Sequence, residues 1–126
     1  CILFSNYKYF METLIEVNKK EENWVLIFEF SWELDETNAD KTFTWIYNEV
    51  WSFEDKKIIF NLDNLKYLNS KSIWYIADIF SNLEENNGNM FICNCNEWVK
   101  DVLELVWITT IIPTVDTINQ ALEEIK

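Results

Sequence analysis

The side chains that most clearly suggest a site lie in the run Asn69-Ser70-Lys71-Ser72. Asn69 or Ser70 is predicted to cap the start of a helix, because both residue types accept hydrogen bonds from free backbone N–H groups. The N-terminus of a helix favours negative charge, so a hydroxyl at this point lies where an anion would be tolerated. The run therefore predicts a surface site for an anion, although a serine in this position is in most proteins only a cap.

Two elements must position this run, a strand before it and a helix after it. Ile58, Ile59, Phe60 and Leu62 form a short apolar run that is typical of a strand covered on both faces. The apolar residues that follow have helical spacing, and they are Ile73, Ile76, Ala77, Ile79, Phe80 and Leu83. The predicted site thus lies where a buried strand is followed by an amphipathic helix.

The rest of the chain alternates strands and helices. Before the site, the pattern predicts an edge strand over residues 13–18, a hairpin turn over 19–23, a strand over 25–30 and a helix over 39–50. After it, the pattern predicts a glycine cap at Gly88, a strand over 90–94, a helix near 99–108, a strand at 111–112 that Pro113 ends, and a helix over 115–125. This order implies a single α/β domain with a mixed, mostly parallel sheet of about four or five strands and about four helices.

Composition excludes several classes of function. A formal net charge of −12 argues against nucleic acids and anionic membranes as partners, and no apolar run approaches the roughly 20 residues of a spanning helix. The chain has no histidine, and it shows neither a glycine-rich phosphate loop nor a nucleophile elbow, so we expect no enzyme, metal site or cofactor. Cys93 and Cys95 are expected to be structural thiols in a reducing cytoplasm.

The first residues are predicted to lie outside the domain. Met11 is a natural start, and the apolar run at residues 1–4 is too short for a signal peptide. We therefore expect residues 1–10 to be an upstream extension that is not native, and the domain to cover residues 11–126.

The predicted site and its flanking elements resemble the STAS domain, best known in bacterial anti-sigma factor antagonists. Residues 67–73 (YLNSKSI) look like the family's Asp-Ser-Ser-Gly turn, whose first serine is phosphorylated by a partner kinase. Trp32-Glu33-Leu34-Asp35 resembles the family's Gly-Glu-Leu-Asp corner, and residues 99–108 follow its third helix. The resemblance covers residues 12–125 and implies a STAS-like fold.

The resemblance implies a regulatory binding protein. Ser70 would be the phosphorylated serine, and Asp35, Asn69, Lys71 and Ser72 would contact the partner, an anti-sigma factor that is also a serine kinase of the histidine-kinase-like ATPase type. A phosphate on Ser70 would block docking. The alternative is a STAS accessory subunit of a lipid or anion transport system, which binds a transporter ATPase or permease without phosphorylation. A nucleotide-binding sensor is a third, weaker hypothesis.

The turn departs from the family pattern at three positions. Asn69 replaces the usual aspartate, Lys71 a small residue and Ser72 a glycine. Asn69 keeps the ability to cap but loses a charge. Lys71 is mildly unfavourable in a first helical turn, but it could pair with a phosphate on Ser70.

Seven tryptophans stand beside a single glycine, whereas average usage gives about nine glycines in a chain of this length. Trp32, Trp74 and Trp107 fall at glycines of the family pattern, and Trp24 and Trp98 follow residues that favour turns. Some bacteria read the opal stop codon as glycine, while a common alternative code reads it as tryptophan. We expect several of these residues to be glycines in the natural protein, and the alternative is that all seven are genuine tryptophans.

Overall fold

A computed structural model describes residues 8–9 and 14–126. The strands are β1 (Lys8–Tyr9), β2 (Leu14–Glu22), β3 (Val25–Leu34), β4 (Lys57–Leu68), β5 (Asn89–Cys93) and β6 (Thr114–Val115). The helices are α1 (Ala39–Val50), α2 (Ser70–Glu85), α3 (Glu97–Leu105) and α4 (Ile118–Glu124), with a short 3₁₀ helix at Ile108–Thr110.

The described strands form one mixed sheet in the order β1-β2-β3-β4-β5-β6. The pairings β1-β2 and β2-β3 are antiparallel, and the pairings β3-β4, β4-β5 and β5-β6 are parallel. The predicted α/β class with a mostly parallel sheet is therefore confirmed. The sheet has one strand more than the five predicted, because the two-residue strand β1 extends one edge.

Apolar cores lie on both faces of the sheet. The larger core contains buried side chains of α1, α2 and α3, such as Phe43, Ile76 and Leu103. The smaller core lies beneath α4, where Ala121 and Ile125 are fully buried. Three helices therefore cover the face that carries the larger core, and α4 covers the other. The predicted apolar stripe of α2 is confirmed, because its residues at 73, 76, 79, 80 and 83 are buried and the half-buried Ala77 packs against the same core.

Strand β4 continues six residues beyond the predicted apolar run and reaches Leu68. The polar residues Asp63 and Asn64 do not end the strand, because they fall at a register shift in its pairing with β3. Leu65 and Leu68 then return to the core. The carboxyl ends of β3 and β4 meet where Leu34 lies opposite Leu68.

The last strand lies after Pro113, so its prediction at residues 111–112 is wrong. Proline has no N–H to donate, but its carbonyl can still accept. The Pro113 carbonyl accepts a hydrogen bond of 2.9 Å from the Ile92 N–H of β5, and β6 follows at once. Helix α4 consequently begins at Ile118, with the Thr117 side chain as its cap.

Helix α2 ends in a turn whose left-handed residue is Asn87 (φ 61°), whereas Gly88 was the predicted cap. The N–H of Gly88 donates to the Leu83 carbonyl at 2.7 Å, as in a Schellman motif. Glycine is required at position 88 because there is no room for a Cβ. A Cβ there would lie 2.6 Å from Leu83 Cδ2 and 2.7 Å from the Lys56 carbonyl oxygen.

The predicted boundary between residues 10 and 11 lies outside the described residues and stays a prediction. Lys8 and Tyr9 of β1 pair with Ile15 and Leu14 of β2.

Candidate functional site

The predicted site is the turn that joins β4 to α2. Asn69 is the N-cap of α2, and its Oδ1 accepts a hydrogen bond from the Ser72 N–H at 3.0 Å. The Asn69 N–H donates to the Leu34 carbonyl at 3.0 Å. Asn69 therefore holds the start of α2 and also ties it to the carboxyl end of β3.

Ser70 is the first residue of α2, and its side chain is exposed. The N–H groups in the first turn of a helix lack intrahelical acceptors, so a negative group on Ser70 would meet the positive end of a 16-residue helix. A shallow depression in front of this hydroxyl is lined by Glu36, Tyr67, Asn69 and Lys71. The prediction of an exposed hydroxyl at the start of a helix is confirmed, and the phosphorylation of that hydroxyl stays a prediction.

Ser72 is fully buried, so the prediction that it contacts a partner is wrong. Its hydroxyl donates to Asn69 Oδ1 at 2.7 Å, beside the bond from its own N–H. Its side chain lies inside the turn, where it completes the cap. Sequence alone did not reveal this burial, because the residue lies between the exposed Lys71 and the first apolar residue of the stripe.

The Asp35 corner lies beside this turn, because the preceding residue, Leu34, accepts the Asn69 N–H. Asp35 is half-buried, and its Oδ1 accepts hydrogen bonds from the N–H and the hydroxyl of Thr37 at 2.9 and 2.7 Å. The Asp35 N–H donates to Asn38 Oδ1 at 3.0 Å. Asp35 therefore orders the start of α1, and its contact with a partner stays a prediction, as do those of Asn69 and Lys71.

Lys71 reaches across from α2 to α1. Its Nζ lies 2.9 Å from Oδ1 and 3.0 Å from Oδ2 of Asp40, and the Tyr75 hydroxyl donates to the same carboxylate at 2.6 Å. The hydrogen bond from Tyr75, followed by that from Lys71, lowers the pKa of Asp40. The same contacts raise the pKa of Lys71 and of Tyr75. The cation next to Ser70 is thus held by a carboxylate of the neighbouring helix.

A second tyrosine–carboxylate pair joins α1 and α2. Tyr47 donates a hydrogen bond to Asp78, and burial together with this bond raises the pKa of Tyr47. The sequence contains a signal for these contacts that our predictions missed. Lys71, Tyr75 and Asp78 are spaced by four and three residues, which places them on one face of α2.

An aromatic pair borders the depression in front of Ser70. The rings of Tyr67 and Trp98 stack with centroids 5.4 Å apart and an interplanar angle of 28°. Both side chains remain exposed. Tyr67 and Trp98 are 31 positions apart along the chain, so no local sequence pattern predicts their contact.

The two described cysteines, Cys93 and Cys95, are free thiols. Burial raises the pKa of Cys93 to about 12 and that of Cys95 to about 11, so both are protonated at neutral pH. Within residues 8–9 and 14–126, no group of His, Cys, Asp and Glu could hold a metal ion. No helix in the described part of the chain has the length and apolar character that crossing a membrane requires.

Comparison with known proteins identifies the family. The family model described as the STAS domain matches residues 2–121, nearly the whole chain. The chain therefore belongs to the STAS domain family.

Three known proteins are similar to the chain. A crystal structure of a Thermotoga maritima protein, provisionally named an anti-sigma factor antagonist, has a TM-score of 0.79 at 27% identity and covers 86% of this chain and 93% of its own. The anti-sigma F factor antagonist of Paenibacillus polymyxa is 23% identical over 112 residues, which are 89% of this chain and 96% of that protein. The Bacillus cell fate determinant SpoIIAA in its phosphorylated form shares the fold, with a TM-score of 0.67 at 14% identity over 87% of this chain and 99% of its own.

Proposed function

We propose that this STAS-domain protein is a cytoplasmic anti-sigma factor antagonist that is switched by phosphorylation of Ser70. Its partner is an anti-sigma factor of the histidine-kinase-like ATPase type, which is also the kinase. Unmodified Ser70 permits docking, and phosphoserine prevents it. The observation that carries this proposal is the exposed Ser70 hydroxyl at the first position of α2.

The arrangement of the turn allows a phosphate to be added without loss of the fold. The buried Ser72 closes the cap on Asn69, whereas Ser70 faces outward. A phosphate on Ser70 therefore changes the surface and leaves the core in place. The switch acts through charge at the docking surface, and it does not require a rearranged sheet.

The charge change at this surface is large. A phosphate adds about −1.5 to −2 charges at pH 7 to a chain whose formal net charge is already −12. Lys71 directly follows Ser70 in the chain, so a phosphate on Ser70 would compete with Asp40 for the Lys71 ammonium group. An acidic partner surface would then be repelled by the phosphate. An apolar partner surface would bind poorly, because the phosphate would have to lose its water.

The relatives support the same function. The Paenibacillus polymyxa relative is named an anti-sigma F factor antagonist, and SpoIIAA exists in a phosphorylated form. Asn69 in place of the family's aspartate keeps the cap, as the two hydrogen bonds that it accepts from Ser72 show. The acceptor hydroxyl is therefore presented with the helix start intact.

Phosphorylation is tested by incubating the protein with ATP and a histidine-kinase-like ATPase from the same host. Mass spectrometry is expected to locate one phosphate on Ser70, and Ser70→Ala is expected to abolish it. Ser81→Ala is the matched control, because Ser81 is exposed on the same helix but lies far from its start. Phosphate on another residue, or none at all, contradicts the proposal.

The switch itself is tested by the affinity of the same ATPase for the two forms of the protein. We expect phosphorylation to weaken binding by about tenfold or more, which corresponds to about 1.4 kcal/mol. Equal affinity of the two forms would disprove the switch. Binding to a transporter ATPase or permease without any phosphorylation would instead support the transport alternative.

A further inference from the structure

Four of the seven tryptophans have backbone conformations that side chains of this size rarely adopt. The φ angles are 70° at Trp24, 82° at Trp32, 66° at Trp51 and 65° at Trp107. Glycine adopts positive φ freely, whereas a Cβ makes this region costly and a bulky side chain makes it rare. The other non-glycine residues with positive φ in the described part of the chain are all Asn or Asp, namely Asn23, Asp55, Asn87 and Asn94. Those two residue types tolerate the conformation, so tryptophan is the exception.

The β2–β3 hairpin calls for glycine at position 24. Glu22 pairs with Val25, which leaves a loop of two residues, and both Asn23 (φ 51°) and Trp24 have positive φ. These signs are those of a type I′ turn, for which Asn-Gly is the preferred sequence. The chain has the asparagine and lacks the glycine.

The backbone at the ends of α1 and α3 also favours glycine. At Trp51 (φ 66°, ψ −53°) the Ser52 N–H donates to the Val50 carbonyl at 2.7 Å, which is the rare and strained γ-turn with positive φ. Trp107 (φ 65°, ψ 14°) follows the C-cap of α3, and its N–H donates to the Glu104 carbonyl at 3.0 Å. Glycine is strongly enriched at this position after a helix.

Trp32 lies inside β3, opposite Ile15 of β2 and Leu65 of β4, next to a register shift. A strand interior with positive φ beside an irregularity is a typical place for glycine. All four sites therefore combine a backbone suited to glycine with a turn or an irregular pairing.

Packing does not compensate for the strain. The exposed fractions are 87% for Trp24, 46% for Trp32, 88% for Trp51 and 70% for Trp107. Trp45 provides the contrast, since it lies within α1, is half-buried and packs edge-on against Phe28 with ring centroids 6.0 Å apart.

We infer that residues 24, 32, 51 and 107 are glycines in the natural polypeptide and that residue 45 is tryptophan. The backbone thus supports three of the five positions expected from the sequence, 24, 32 and 107. It also adds Trp51, which no sequence pattern had singled out. Trp74 and Trp98 lie in helical backbone, so this argument does not extend to them. The natural protein then lacks four exposed indoles.

The direct test is peptide mapping by mass spectrometry of the protein purified from its natural host, together with the codons of its gene. We expect glycine from opal codons at 24, 32, 51 and 107, and tryptophan from the ordinary codon at 45. Tryptophan at these four positions in the natural protein overturns the inference.

The structural argument is tested independently on the chain with the printed sequence. Each Trp→Gly variant at the four positions is expected to raise the midpoint of urea unfolding, and the fourfold variant most. Each Trp→Ala variant is the matched control, because it removes the indole but keeps a Cβ at positive φ, and it should gain less. Trp45→Gly is expected to lower the midpoint. Equal gains from glycine and alanine would contradict the backbone argument.

Discussion

Helix α2 differs from α1 and α3 in how well residue types suit the backbone at the helix ends. It begins at an asparagine cap, Asn69, and ends at Asn87 and Gly88, each of which suits its position. Helices α1 and α3 end instead at Trp51 and Trp107, where exposed indoles lie on left-handed backbone.

This difference separates the fold from the identity of individual residues. The turns after α1 and α3 form their expected hydrogen bonds, from the Trp51 N–H to the Tyr47 carbonyl and from the Trp107 N–H to the Glu104 carbonyl. Only the side chains are unsuited to these turns. Helix α2, which carries Ser70, is well matched at both ends, so the candidate site rests on the most consistent helix of the three.

The largest effect is expected at the start of α2. Asn69→Ala removes the cap, which costs about 1 kcal/mol, and leaves the buried Ser72 hydroxyl without its acceptor, which costs about 1–3 kcal/mol more. Urea unfolding measures the sum. Asn69→Ala with Ser72→Ala should recover part of the loss, because the buried hydroxyl is then gone.

Thr117→Ala is the control for this prediction. Thr117 caps α4 through a single bond to the Gln120 N–H and holds no buried hydroxyl. If Asn69→Ala destabilised the protein no more than Thr117→Ala, the special role of the α2 start would be refuted.

The end of α2 is expected to be the next most sensitive. Gly88→Ala would place a Cβ against Leu83 and the Lys56 carbonyl, so we expect a loss of about 1–3 kcal/mol in the free energy of unfolding. Asn87→Gly, one residue earlier, should be neutral or slightly stabilising, because φ there is 61°. A neutral Gly88→Ala would show that the turn can move away from the added methyl group.

The end of α3 should respond in the opposite direction. Trp107→Gly is expected to stabilise the protein by about 1 kcal/mol, since glycine relieves the left-handed strain. Trp107→Asn would copy Asn87 of α2 and should give a smaller gain, measured by the same unfolding experiment. A loss of stability in both variants would mean that the indole makes contacts that outweigh the strain.

The smallest effect is expected from the exposed contacts between α1 and α2. Tyr75→Phe and Lys71→Met should each raise the pKa of Asp40 towards its ordinary value, as carboxyl NMR titration would show. The native pKa is lowered, so these contacts stabilise the protein above the ordinary carboxyl pKa and lose this effect as the pH falls through the native value. Tyr47→Phe, which alters the contact with Asp78, should leave Asp40 unchanged. An Asp40 pKa unaffected by Tyr75→Phe would refute the assigned cause.

Much of the fold was predictable because it depends on local periodicity. Helix α1 has the predicted bounds, Ala39–Val50, and the cap of α2 is Asn69, one of the two predicted positions. The length of β4 was not predictable, because Asp63 and Asn64 are polar and only the pairing with β3 shows that they form an irregularity inside the strand. The place of β6 depended on the Pro113 carbonyl finding a partner in β5.

At the candidate site, the sequence by itself determined that a helix starts at Asn69 or Ser70, because capping depends on residues within one turn of the chain. The structure assigns the cap to Asn69. Tertiary structure alone decided that Ser72 is buried, that Lys71 pairs with Asp40 and that the Asp35 corner lies beside the turn. Those contacts join segments that are distant along the chain, and their geometry follows from how α1 and α2 pack on the sheet. The tryptophans illustrate both levels, since composition raised the question of their identity and the backbone angles of the folded chain selected the four positions.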